Sequence, residues 1–193
     1  MNEILATYLQ QNSQLTSREI EQISDLAIAK KVKKGELLLQ EGDICRHKIF
    51  VARGLLRTFG TTPDGVEHIL YFSPELNWTV DVESYNEQTP SHYYIDAVEQ
   101  SDLLLWSKTD FDQLIAEIPA FNLFREQLIA QNTYSSRHRI LTTLSATPEQ
   151  KYEDFIHHTP QLLARLPLRM IASYLGISLK TLTRIRHAQL QQR

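Results

Sequence analysis

The sequence predicts an α+β chain: an N-terminal antiparallel β-roll of jelly-roll type with flanking helices, one long helix, then a small helix-turn-helix unit. Three observations carry this. From Val32 to about Leu105, short apolar runs alternate with glycine-marked turns, the grammar of an antiparallel barrel or roll. From Pro119 to Leu144 a helix-length segment follows, with proline well placed in its first turn. Near the C-terminus, "IASYLGISLKTLTRIR" (171–186) spaces a small residue, a glycine and a capping serine as two helices joined by a sharp turn require.

The first 30 residues read as helix. Ile20, Ile23, Leu26 and Ile28 fall near helical spacing after a Thr16-Ser17 cap. The strand-like runs are "ELLLQ", "KIFVA", "LLRTF" and "EHILYF", punctuated by Gly35, Gly42, Gly54 and Gly65. Pro63-Asp64-Gly65 has hairpin-turn chemistry. Helix returns at "SKTDFDQLIAEI", with Asp110 near its start, and stops at Pro119. In the long helix Phe121, Phe124 and Leu128 take a/d-like positions, continued weakly by Gln131, Ser135 and His138. That stripe is expected to be a dimer seam, the alternative being a face packed on the roll. "SATPEQ" then reads as a hinge. The expected divisions are a roll over 1–118, a dimerisation helix and hinge over 119–147, and a helix-turn-helix domain over 148–193.

With 193 residues, 42% hydrophobic and 22% charged, the composition is that of an ordinary soluble protein. No apolar run is long enough for a membrane span, and the acidic N-terminus lacks the basic start of a secretory signal. Cys45 is the single cysteine, so intramolecular disulfides and clusters held by several thiolates are excluded. A cytoplasmic location is expected.

Charge is unevenly spread. The chain has a net charge of −3, yet between Gln161 and Arg193 there is no Asp or Glu, only Arg165, Arg169, Lys180, Arg184, Arg186 and Arg193. Such a tail is aimed at something anionic. Its second helix puts Lys180, Arg184 and His187 on one stripe with Thr183 beside it, and Leu182 and Ile185 opposite. Lys180 in the first turn opposes the helix dipole, a local cost that an external anion such as DNA phosphate would relieve.

Together, "KKGELLLQEGD", "VARGLLRTF", "TPDGVEHILYF" and the terminal motif resemble the Crp/Fnr family of bacterial transcription regulators along essentially the whole chain. The resemblance implies a homodimer joined through the long helix, an effector-sensing roll, and a winged helix-turn-helix in the DNA major groove. It implies double-stranded DNA with an inverted-repeat operator as partner, with RNA polymerase as a further one. By position, Arg169, Ser178 and Thr181 would touch phosphates, while Leu179, Lys180 and Arg184 would face bases. The end at Arg193 leaves little room for a full wing.

Cyclic-AMP binders of that family use a Gly-Glu pair and an arginine about ten residues later. Here Val80-Asp81 and Ser91 take those places, followed by His92, and no arginine occurs between Arg57 and Arg125. A buried phosphate without a cation costs several kcal/mol, on the order of a broken buried ion pair. The pocket is therefore expected to be degenerate, with no cofactor. An unidentified effector lined by Tyr85, His92, Tyr93 and Tyr94 is the alternative. The seven histidines are scattered and no metal site is expected. No hydrolase, zinc-protease, P-loop or dinucleotide-binding motif occurs, so an enzyme is not expected. A reading of another class is a protein-interaction module whose basic tail binds an acidic partner.

Overall fold

In the computed structural model, which describes residues 1–191, α1 (Asn2–Asn12) and α2 (Ser17–Asp25) precede eight strands. Thr16 caps α2 through a reciprocal pair with Glu19, whose carboxylate accepts from the Thr16 amide at 2.7 Å. The strands are β1 (Ile28–Val32), β2 (Leu37–Leu39), β3 (His47–Arg53), β4 (Leu56–Thr61), β5 (Glu67–Ser73), β6 (Trp78–Thr79), β7 (Tyr94–Ala97) and β8 (Ser101–Ser107). They form two four-stranded sheets of order β1-β8-β3-β6 and β2-β7-β4-β5. The four expected runs are strands. Ile28, read as helical, instead opens β1, because α2 ends at Asp25 and Leu26 caps it.

Sheet period explains why β3 and β8 are apolar without a break. Ile49, Val51, Leu103 and Leu105 face the interior of the roll, with Val32, Leu39, Leu56 and Ile95. Phe50, Ala52, Leu104 and Trp106 face the other way, onto helices, with Leu5, Leu9, Ile20 and Ile23. Trp106 donates its indole N–H to the Ile23 carbonyl at 2.8 Å. Between β4 and β7, the register partners Arg57 and Asp96 form a two-pronged ion pair of 2.8 and 2.9 Å. Gly54 is forced: its φ is +99°, and a Cβ there would lie 2.7 Å from the Ser101 Cα.

A short helix α3 (Val82–Glu87) lies between β6 and β7, inside the segment read as the roll. Asp81 caps it, accepting from the Ser84 amide at 3.5 Å. After β8 come α4 (Lys108–Glu117) and α5 (Pro119–Ser145). Ser107 caps α4 by accepting from the Asp110 amide at 3.1 Å.

Phe121 and Phe124 do not form the expected seam. They are 1% and 4% exposed and sit in the roll-side core with Leu5, Leu9, Phe111 and Leu114, with Leu128 half-buried beside them. The apolar spacing marked a buried face, and what buries it is this chain's own core. The exposed apolar side chains of α5 are others: Leu123, Ile129, Tyr134, Ile140, Leu141 and Leu144.

The chain divides into two compact units, residues 1–60 with 71–129, and residues 61–70 with 130–193. The division falls inside α5, because its first turns are held in the first core, rather than at 118/119 and 147/148. In the second unit, α6 (Pro148–His158) starts from a Thr147 cap with a reciprocal Gln150 contact. A single 3₁₀ turn (Pro160–Leu162) leads to α7 (Leu168–Leu175) and α8 (Leu179–Gln191). Its core holds Tyr152, Phe155, Leu162, Leu166, Ile171, Ala172, Leu175, Leu182 and Ile185. The hairpin tip belongs to this unit: Ser173 Oγ accepts from Ile69 N at 3.1 Å and donates to Glu67 O at 2.7 Å. Arg139 donates to the carbonyls of Ile69 and Tyr174, both at 3.0 Å. Burial lowers the pKa of Arg139, and its guanidinium stacks 4.1 Å over the Tyr174 ring. No helix among the described residues is long and apolar enough to cross a membrane.

Candidate nucleic-acid interface and the roll cassette

α7 ends at Gly176, which adopts the left-handed conformation (φ +64°) that lets the chain turn within three residues. Ser178 then accepts from the Thr181 amide at 3.0 Å, capping α8, and its hydroxyl lies 2.8 Å from that of Thr181. Ala172 is buried at the crossing, as its small side chain requires. Leu182 and Ile185 turn inward, while Leu179, Lys180, Arg184 and His187 are exposed and Thr181 and Thr183 are half-buried. Thr183 spends its hydroxyl on the Leu179 carbonyl at 2.9 Å. Arg169 is exposed near the start of α7. Arg193, counted in the basic tail, lies outside the described residues.

The exposed stripe presents cations and no acid, and the first turn of α8 holds no carboxylate. The nearest acid comes from outside. Arg184 Nη2 lies 3.2 Å from Glu149 Oε1 on α6. Both side chains are well exposed, so this pair is worth at most about 1 kcal/mol and can be exchanged for a stronger acceptor.

In the roll cassette, Asp81 and Ser91 close on each other. Ser91 Oγ donates to Asp81 Oδ2 at 2.6 Å and accepts from Tyr93 N at 3.0 Å, with both residues buried. Val80 packs on the roll interior, and His92 is exposed. The four residues of the alternative effector site take up separate environments. Tyr85 is in α3 and is buried in the roll core, where burial raises its pKa. Tyr94 stacks on Phe59 at 4.9 Å and donates to Glu41 at 3.1 Å. Sequence reasoning passed over Lys48. Its ammonium lies 4.4 Å from the Tyr85 ring centre, and burial pulls its pKa down to about 8. An isolated lysine in an apolar run carries no signal of that neighbour.

Sequence reasoning also missed the meeting of His138, on α5, with Asp154 and His158, on α6. His138 Nε2 and His158 Nδ1 lie 3.1 and 3.2 Å from Asp154 Oδ1. Only the Asp154–His158 spacing of four on one helix was there to be read.

Residues 29–118 match the family model of the cyclic nucleotide-binding domain. No curated protein matches the chain. Among solved structures, FixK2 from Bradyrhizobium japonicum has a TM-score of 0.75 at 16% identity, over 86% of this chain and 85% of its own. CLP from Xanthomonas campestris, a c-di-GMP responsive global regulator, has a TM-score of 0.73 at 12% identity over 92% and 93%. A transcriptional regulator of the Crp/Fnr family from Eubacterium rectale has 0.71 at 20% identity over 96% and 88%. The chain is therefore an α+β protein built on a cyclic nucleotide-binding-type roll. Its fold is similar to that of these solved structures, one of them described as a Crp/Fnr-family regulator.

Proposed function

We propose that this protein is a cytoplasmic, sequence-specific DNA-binding transcription regulator that acts as a homodimer and does not respond to cyclic AMP. The observation that carries the DNA reading is α8 itself, capped by Ser178, with Lys180, Arg184 and His187 exposed on one acid-free face. An α-helix fits the major groove, where arginine bonds O6 and N7 of one guanine together. Arg169, Ser178 and Thr181 serve as phosphate contacts, and Leu179, Lys180 and Arg184 face the bases. The likeness in fold to proteins described as transcription regulators supports a regulatory role over an enzymatic one.

The dimer reading rests on α5. Leu123, Gln127, Ala130, Tyr134, Arg137, Leu141 and Leu144 are spaced alternately four and three apart, and all are exposed in the single chain. This is a heptad seam, which a second copy of α5 would cover. It replaces the seam of Phe121, Phe124 and Leu128. A two-fold dimer presents two recognition helices about 34 Å apart, so the operator is an inverted repeat. Selection of bound fragments from a random duplex pool tests this. An enriched palindrome is expected, and a pool that remains unenriched would contradict the proposal.

Insensitivity to cyclic nucleotides rests on the Asp81–Ser91 bond. A bound phosphate would meet a buried carboxylate where it needs a cation. A ligand at a hundred times its Kd stabilises by about 2.7 kcal/mol, which is roughly 5–10 °C in Tm for a chain of this size. Millimolar cyclic AMP or cyclic GMP is expected to leave Tm unchanged. A saturable rise would show that the pocket still works.

A further inference from the structure

We infer that His138, Asp154 and His158 form a binding site for a divalent transition-metal ion, held between the C-terminal half of α5 and α6. Asp154 and His158 are four residues apart on α6 and so share one face of that helix. His138 approaches them from α5. One potential ligand atom from each of the three residues lies within 4.8 Å of the others, and the two nitrogen-to-carboxylate separations are 3.1 and 3.2 Å. In a tetrahedral zinc site with bonds of about 2.0–2.2 Å, ligand atoms stand about 3.4 Å apart. The triad is thus already near the spacing that a metal ion imposes. The two imidazole rings are 5.4 Å apart, centre to centre.

Two imidazoles and one carboxylate suit Zn²⁺, Co²⁺, Ni²⁺ or Cu²⁺ rather than the oxygen-seeking Mg²⁺ or Ca²⁺. The three protein ligands leave a fourth position for water. Both histidines are exposed and Asp154 is half-buried, so an ion has an entry path from solvent. Among the described residues, neither histidine is ion-paired with another carboxylate. His158 Nδ1 is also 3.0 Å from the Asp154 carbonyl oxygen, a contact it gives up if that nitrogen takes the metal. A bound ion would cross-link α6 to α5 through all three side chains, where the His138–Asp154 contact of 3.1 Å now spans the two helices.

The test uses the full chain, free of any polyhistidine tag and stripped by a chelator. It is titrated with Zn²⁺ against a chromogenic competitor and, separately, with Co²⁺ while visible absorption is recorded. One ion per chain is expected, with Co²⁺ d–d bands and no thiolate charge-transfer band, because Cys45 is buried and is not a member of the triad. His138→Ala and His158→Ala should each weaken binding by about ten-fold or more, as should Asp154→Asn. His157→Ala, which changes a histidine adjacent in sequence but outside the triad, should leave it unchanged. All these sites lie on helix surfaces, so circular dichroism should report folded variants. Absence of stoichiometric binding overturns the site. So does binding that survives His138→Ala and His158→Ala unchanged.

Discussion

A chain carrying Leu141→Glu and Leu144→Glu is expected to sediment as a monomer at micromolar concentration, where the unaltered protein is expected to sediment as a dimer. These residues are 64% and 81% exposed in the single chain, so the substitutions remove nothing from its own core. In a two-fold seam each leucine counts twice. Fully burying a leucine is worth about 1.5–3 kcal/mol, so four of them supply roughly 6–12 kcal/mol. A dimer with a Kd between micromolar and nanomolar is held by about 8–12 kcal/mol. Losing the leucines, and placing four carboxylates along the seam, is therefore enough to separate the chains. Phe124→Ala should act differently. It opens a cavity between α1, the roll and α5, with a cost of about 3–5 kcal/mol to folding. It should lower Tm while leaving the surviving folded protein dimeric. Monomers from Phe124→Ala with unchanged Tm, and dimers from the double glutamate variant, would return the seam to Phe121, Phe124 and Leu128.

That contrast shows what the sequence could and could not disclose. Spacing told that Phe121, Phe124 and Leu128 bury a common face, because amphipathic period is a local property. Whether the face meets a partner or the same chain depends on α1, whose Tyr8 lies 6.0 Å from Phe124 across more than a hundred residues of sequence. Local chemistry was legible wherever it is local in cause. The Gly176 turn, the Ser178 cap, the Thr16 cap and the Pro63-Asp64-Gly65 turn all arise from residues within a few positions of one another. Gly65, for instance, has φ +80° and donates its amide to Thr62 O at 2.8 Å. The helix α3 was not legible. Six residues give less than two turns of period, and its stability comes from the Asp81 cap and the burial of Tyr85. The replacement of Gly-Glu and arginine in the cassette was readable, but the direct Asp81–Ser91 bond was not, since it depends on how α3 folds between them. The His138–Asp154–His158 meeting joins two helices and left only an i,i+4 spacing in the sequence.

If α8 reads DNA, Arg184 is the side chain on which that reading turns. Its guanidinium is exposed and, among the described residues, held by the weak contact to Glu149, which a guanine edge can displace. The measurement is a binding titration of the wild type, Arg184→Ala and Arg169→Ala against the preferred duplex and a scrambled one, over a salt series. Arg184→Ala should cost roughly 1–3 kcal/mol on the preferred duplex and flatten discrimination at one base pair per half-site. Arg169→Ala should weaken both duplexes alike and lower the salt slope by about one unit per contacted phosphate. If Arg184→Ala instead weakens both duplexes equally, that arginine only anchors the backbone. If the wild type itself cannot tell the two duplexes apart, α8 does not read sequence.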